Sequence, residues 1–133
     1  MQVLVIDDDV AVRQTIALLL EDADIGVTQA GDGKEGLRAF QRARPDVIIT
    51  DIIMPEKEGI QTITDIRKQD LRVPIIAISG GGRIGNTDFL EIASRLGATV
   101  TLAKPFDPEM LVALIRKLGT EAQEASKAAT PAT

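Results

Sequence analysis

The chain has 133 residues, with 15 Lys and Arg against 20 Asp and Glu, for a formal net charge of -5. That length suits one domain with its own core, and a mildly acidic balance lacks the basic footprint that direct nucleic-acid binding needs. Cys and His are both absent, which excludes disulfides, thiolate nucleophiles, Ser-His-Asp triads and His- or Cys-ligated zinc, and leaves carboxylates, hydroxyls, lysines and backbone dipoles for any chemistry.

In chain order, Val3–Ile6 is a short apolar, mostly β-branched run that predicts a strand, and it leads straight into Asp7, Asp8 and Asp9. Asp9 is placed to cap the helix that follows, where Val12, Ile16, Leu19 and Leu20 recur at helical spacing. A weaker strand follows at Ile25–Ala30, then a helical pair, Leu37 and Phe40. Val47–Thr50 predicts the third strand, which ends on Asp51 in "DIIMPEKEG", before Ile60, Ile63 and Ile66. Ile75–Ser79 predicts the fourth and opens into "GGGRIGNT", before Phe89, Ile92, Ala93 and Leu96. Val100–Ala103 predicts the fifth and ends on Lys104, before Leu111, Leu114, Ile115 and Leu118. All the helical stripes read as core. Gly97 and Gly119 stand where C-terminal caps belong. The segment after Gly119 has little apolar content beyond alanine and reads as a frayed helix or linker, which divides the chain into a domain at 1–119 and a tail at 120–133. No apolar run is long enough for membrane insertion, and the lack of Cys fits a cytoplasmic protein.

Five alternations of strand and helix predict an α/β fold: a doubly wound, five-stranded parallel sheet, (βα)5, with helices on both faces. Ligands of such sheets bind beyond the carboxyl ends of the strands. Those ends carry Asp7, Asp8 and Asp9, then Asp51, Ser79 and Lys104. Taken singly, the acids also fit caps or loop residues, Ser79 a turn serine and Lys104 a surface lysine. Taken together, they would line one cleft. Converging carboxylates repel, and a divalent cation can hold them. One carboxylate could then act as a nucleophile in aspartyl-phosphate chemistry, with the hydroxyl and ammonium meeting the transferred group.

These residues, in this order, resemble the receiver domain of two-component response regulators. The likeness covers about Val3 to Leu118 and rests on the acidic pair after the first strand, "DIIMPEKEG", Ser79 and "KPF". It implies a flavodoxin-like strand order, 2-1-3-4-5, as in chemotaxis receivers. It implies that Asp51 is the phosphoacceptor, that Mg²⁺ is held by Asp8, Asp51 and the backbone carbonyl of Ile53, and that Asp7 helps through water. Ser79 resembles the switch hydroxyl, and Lys104 the lysine that pairs with the phosphoryl group, with a cis bond to Pro105. The implied partners are a histidine kinase or histidine phosphotransfer protein and a downstream protein target, with no direct nucleic-acid contact and no membrane insertion. A phosphorylation-dependent homodimer is also compatible with the resemblance. The domain would be no enzyme beyond weak self-catalysed phosphoryl transfer and dephosphorylation.

Two departures stand out. Thr101 occupies the second switch position, where many receivers carry an aromatic ring, so ring reorientation gives way to hydroxyl movement at Ser79 and a backbone shift. The loop after Ser79 is glycine-rich and longer than usual, which predicts mobility and wider access to Asp51. Three rival readings remain. Gly80, Gly85 and Thr87 match a phosphate-binding loop, but Asn86 replaces its lysine. Asp7 and Asp9 resemble the paired aspartates of haloacid-dehalogenase-like phosphatases, although Ala11 and Val12 fit that pattern poorly. The third is a receiver-like binding module that is never phosphorylated.

Overall fold

The computed structural model describes residues 1–52, 58–79, 93–103 and 106–129, with backbone alone at 58, 59 and 125–129. The elements are β1 (Gln2–Ile6), α1 (Val10–Asp22), β2 (Gly26–Ala30), α2 (Gly33–Arg42), β3 (Val47–Asp51), α3 (Glu58–Gln69) and β4 (Ile75–Ser79), followed by β5 (Val100–Ala103) and α5 (Pro108–Ala129). Residues 93–96 are also helical and are labelled α4. The strands form one sheet in the order β2-β1-β3-β4-β5, all parallel. This is the predicted doubly wound order.

The near-continuous apolar runs become the central strands because both of their faces are covered. β3 and β4 are buried at every position, whereas the edge strand β5 is largely half-buried. Successive residues serve opposite layers. Leu4, Ile6, Ile48, Ile75 and Ala77 pack with Phe40 of α2 and with Ile63 and Ile66 of α3. Val3, Val5, Val47, Ile49, Ile76 and Ile78 pack with Ile16 and Leu20 of α1 and with Leu111, Ile115 and Leu118 of α5. Gly36 lets α2 approach β1 closely, since a Cβ there would lie 2.5 Å from Ile6 Cδ1.

Asp9 caps α1 as expected, its carboxylate accepting from Val12 N at 3.2 Å. α1 ends through Asp24 at φ 61°, a left-handed turn closed by Ile25 N donating to Leu20 O at 2.9 Å. Gly97 ends α4 with φ 124°, as a cap glycine should. Arg67 of α3 locks that end in place: Nε donates to Gly97 O at 2.9 Å, Nη1 to Asp70 O at 3.1 Å and Nη2 to Thr99 Oγ1 at 3.4 Å. Burial lowers the Arg67 pKa from the ordinary guanidinium value, and the Asp70 charge opposes that.

Two expectations need correction. Gly119 does not end α5, which runs on to Ala129. The following alanines, glutamates, glutamine and lysine are strong helix formers, and one interior glycine costs only about 1 kcal/mol against them. Leu96, assigned to the core from its spacing, is 39% exposed. The other apolar positions of its stripe, apart from buried Ala93, are Phe89 and Ile92, which lie outside the described residues together with the Gly80–Gly85 loop, Asn86 and Thr87.

Candidate functional site

The strand register builds the site. Ile6 is level with Thr50, so Asp7 and Asp51, each one residue further on, stand side by side. Asp51 pairs with Ile78, and Ser79 with Ala103. The ladder continues past both strand ends, with Asp7 N donating to Ala30 O at 3.1 Å and Ile52 N to Ile78 O at 3.0 Å. Asp7 keeps step with Val5 and Asp51 with Ile49, so both carboxylates fall on the α1/α5 side of the sheet.

Asp7, Asp8 and Asp51 each present a carboxylate oxygen within 4.8 Å of the other two. Asp7 and Asp51 are buried, at 3% and 7% exposure, while Asp8 is exposed. Two ionised carboxylates at that separation repel by about 3 kcal/mol even at an effective dielectric of about 20, so the arrangement calls for positive charge. An all-oxygen donor set of this kind fits a hard divalent cation such as Mg²⁺. Ser79 is fully buried, and its Oγ has no hydrogen-bond partner among the described residues. A hydroxyl left this way at a sheet edge is a donor waiting for an acceptor.

The structure therefore clusters three of the expected residues, Asp7, Asp8 and Asp51, while Ser79 ends the neighbouring strand β4, one residue beyond the partner of Asp51. Thr101 lies half-buried in β5, paired with Ala77, two residues before the edge. Ile53, Lys104 and Pro105 lie outside the described residues. Asp9 stands apart from the acid group and spends its carboxylate on the α1 cap, which removes the Asp7–Asp9 pairing that a dehalogenase-like phosphatase would use. Sequence reasoning missed Arg13. Its Nη1 donates to the Asp7 carbonyl at 2.8 Å, and its Nε to Gln29 Oε1 at 3.2 Å. The one signal available was its place in the first turns of the helix that follows the acids.

A parallel α/β sheet with clustered acids and a buried hydroxyl at its carboxyl edge is the architecture of a phosphoacceptor signalling domain. The family model described as the response regulator receiver domain matches residues 3–116. FixJ, a transcriptional regulatory protein of Bradyrhizobium diazoefficiens, is 32% identical over 94% of this chain and 60% of its own length. The probable transcriptional regulator ycf27 of Guillardia theta is 36% identical over 86% of this chain and 44% of its own. A receiver domain protein from Clostridium thermocellum superposes with a TM-score of 0.84 at 31% identity, over 93% of this chain and 98% of that one. The chain belongs to the response regulator receiver domain family. It spans about half the length of the transcription-regulator relatives it matches. Receiver domains are phosphoacceptor signalling domains that work with a histidine kinase and a downstream effector, and they typically bind Mg²⁺. No helix among the described residues is long and apolar enough to cross a membrane.

Proposed function

We propose that Asp51 accepts a phosphoryl group from a phosphohistidine on a partner kinase or phosphotransfer protein. The observation that carries this reading is the trio of carboxylates within 4.8 Å of one another, with a buried Ser79 hydroxyl, unpartnered among the described residues, at the end of the adjoining strand. An Asp51 carboxylate oxygen attacks phosphorus in line, the P–N bond breaks, and the partner's imidazole leaves with the bonding pair. This chain has no His, so the phosphohistidine that donates lies outside it. Mg²⁺ would supply charge neutralisation at the phosphoryl oxygens. Asp8, Asp51 and the Ile53 carbonyl would hold it, with Asp7 acting through water. Ser79 donates to the new phosphoryl group and Lys104 pairs with it, Thr101 following by a backbone shift, which biases a two-state equilibrium read by a downstream protein. The roles of Ile53 and Lys104 rest on resemblance.

The receiver unit is 1–119, with 120–133 as a tail, and the face of α4, β5 and α5 is the readout surface, where phosphorylation also favours a homodimer. The receiver unit acts in the cytoplasm and does not itself contact nucleic acid. Its self-catalysis is limited to slow uptake and hydrolysis of the phosphoryl group. Intact mass after incubation with acetyl phosphate tests the core of this reading. The expected result is a Mg²⁺-dependent gain of one phosphoryl group, absent in Asp51→Asn. A gain that persists in Asp51→Asn would overturn the assignment, and Asp7 as the modified residue would revive the phosphatase reading.

A further inference from the structure

Arg13 has a geometry that the phosphoryl-transfer scheme leaves unused. The guanidinium is half-buried and bridges three elements. It sits on α1, donates from Nη1 to the Asp7 carbonyl after β1, and donates from Nε to Gln29 on β2. Gly31 leaves room for it, since a Cβ there would lie 3.3 Å from both Nη1 and Glu35 Oε2. The Asp7 carbonyl belongs to the peptide that joins Asp7 to Asp8. Asp7 has further support, because its carboxylate accepts from Asp9 N at 2.9 Å. Asp8 is exposed, and its carboxylate has no hydrogen-bond or ion-pair partner among the described residues. With no side-chain contact among those residues to fix it, the Asp8 carboxylate depends on the Asp7–Asp8 backbone for its placement near Asp51.

We propose that Arg13 is a positioning residue of the acid cluster: by holding the Asp7–Asp8 peptide it presents Asp8 to the cation and sets the affinity for Mg²⁺. A charge-assisted donor to a carbonyl is strong enough for this, and the outer partners of metal ligands typically change affinity by about 10-fold to 100-fold when removed. The inference rests on the Mg²⁺ reading above, and two measurements on the full chain separate them.

Calorimetric titration with Mg²⁺ is expected to show about tenfold weaker binding in Arg13→Met, with part of the loss restored in Arg13→Lys, which keeps one donor. Arg116→Met serves as the control. Arg116 Nη2 donates to the Ala23 carbonyl at 2.9 Å, at the other end of α1, so its loss lowers stability without changing Mg²⁺ affinity. Unchanged or tighter binding in Arg13→Met, or equal weakening in both variants, overturns the proposal. The second measurement is the amide spectrum in EDTA, where Arg13→Met, but not Arg116→Met, is expected to shift and broaden the Asp8 signal. An Asp8 amide that does not respond to Arg13 overturns the positioning role. A wild-type chain that ignores Mg²⁺ while Asp8 still depends on Arg13 overturns the metal reading and the affinity claim, and leaves the positioning contact standing.

Discussion

Ser79 shows how a single buried atom separates stability from function. Its hydroxyl is fully enclosed without a partner among the described residues, an arrangement that costs about 1–3 kcal/mol of desolvation. Ser79→Ala removes that cost along with the hydroxyl. The variant should therefore unfold in urea at a midpoint equal to or above that of the wild type, by up to about 1 kcal/mol, while its amide spectrum changes less on phosphorylation. A clearly less stable variant would mean the hydroxyl is already satisfied in the resting state. Asp9 illustrates the opposite case. Its carboxylate belongs to the α1 cap, so its contribution is structural although it adjoins the site in sequence.

At the scale of elements, α5 is the informative helix. It continues through Gly119 to Ala129, and Gly119 lies against the end of the Met1 side chain, where an added Cβ would stand 2.6 Å from Met1 Cε. Because a methionine terminus moves readily, Gly119→Ala should gain helix propensity at little steric cost and stabilise the fold by about 0.5–1 kcal/mol, read as a rise in melting temperature. Gly36 offers the contrast. A Cβ there meets Ile6 at 2.5 Å within a packed layer, so Gly36→Ala should destabilise by roughly 1–3 kcal/mol by forcing α2 off the sheet. If both substitutions moved the melting temperature in the same direction, the distinction between a flexible neighbour and a packed one would be lost.

For the whole molecule, the acid cluster couples folding to cation binding. Bringing Asp7, Asp8 and Asp51 within 4.8 Å of each other stores repulsion that unfolding releases. A cation bound only by the folded state stabilises by about 2.7 kcal/mol at a hundred times its Kd. The melting temperature should rise with Mg²⁺ in the wild type. In Asp8→Asn it should be higher than wild type in EDTA and respond less to Mg²⁺. A variant that melts lower than wild type in EDTA would show that Asp8 contributes more as a structural group than as a source of repulsion.

The alternation of strands and helices, the burial of the central runs and the Asp9 cap were all legible in the chain, because each is set by local periodicity and by which side chains tolerate water. Gly119 and Leu96 misled for the same reason, since a glycine signals a cap only where the helix after it is weak, and spacing alone does not say whether a neighbour covers the stripe. Motif resemblance also marked Asp7, Asp8, Asp51 and Ser79. That they meet at one edge of the sheet followed from the predicted fold; what tertiary structure alone decided was the geometry there. The parallel register that sets Asp7 beside Asp51, the enclosure of the Ser79 hydroxyl and the reach of Arg13 to the Asp7 carbonyl join residues from separate parts of the chain. Such contacts depend on strand register and helix packing: the hydrophobic pattern fixes which face a strand buries, but not which residue of a distant strand or helix stands level with it.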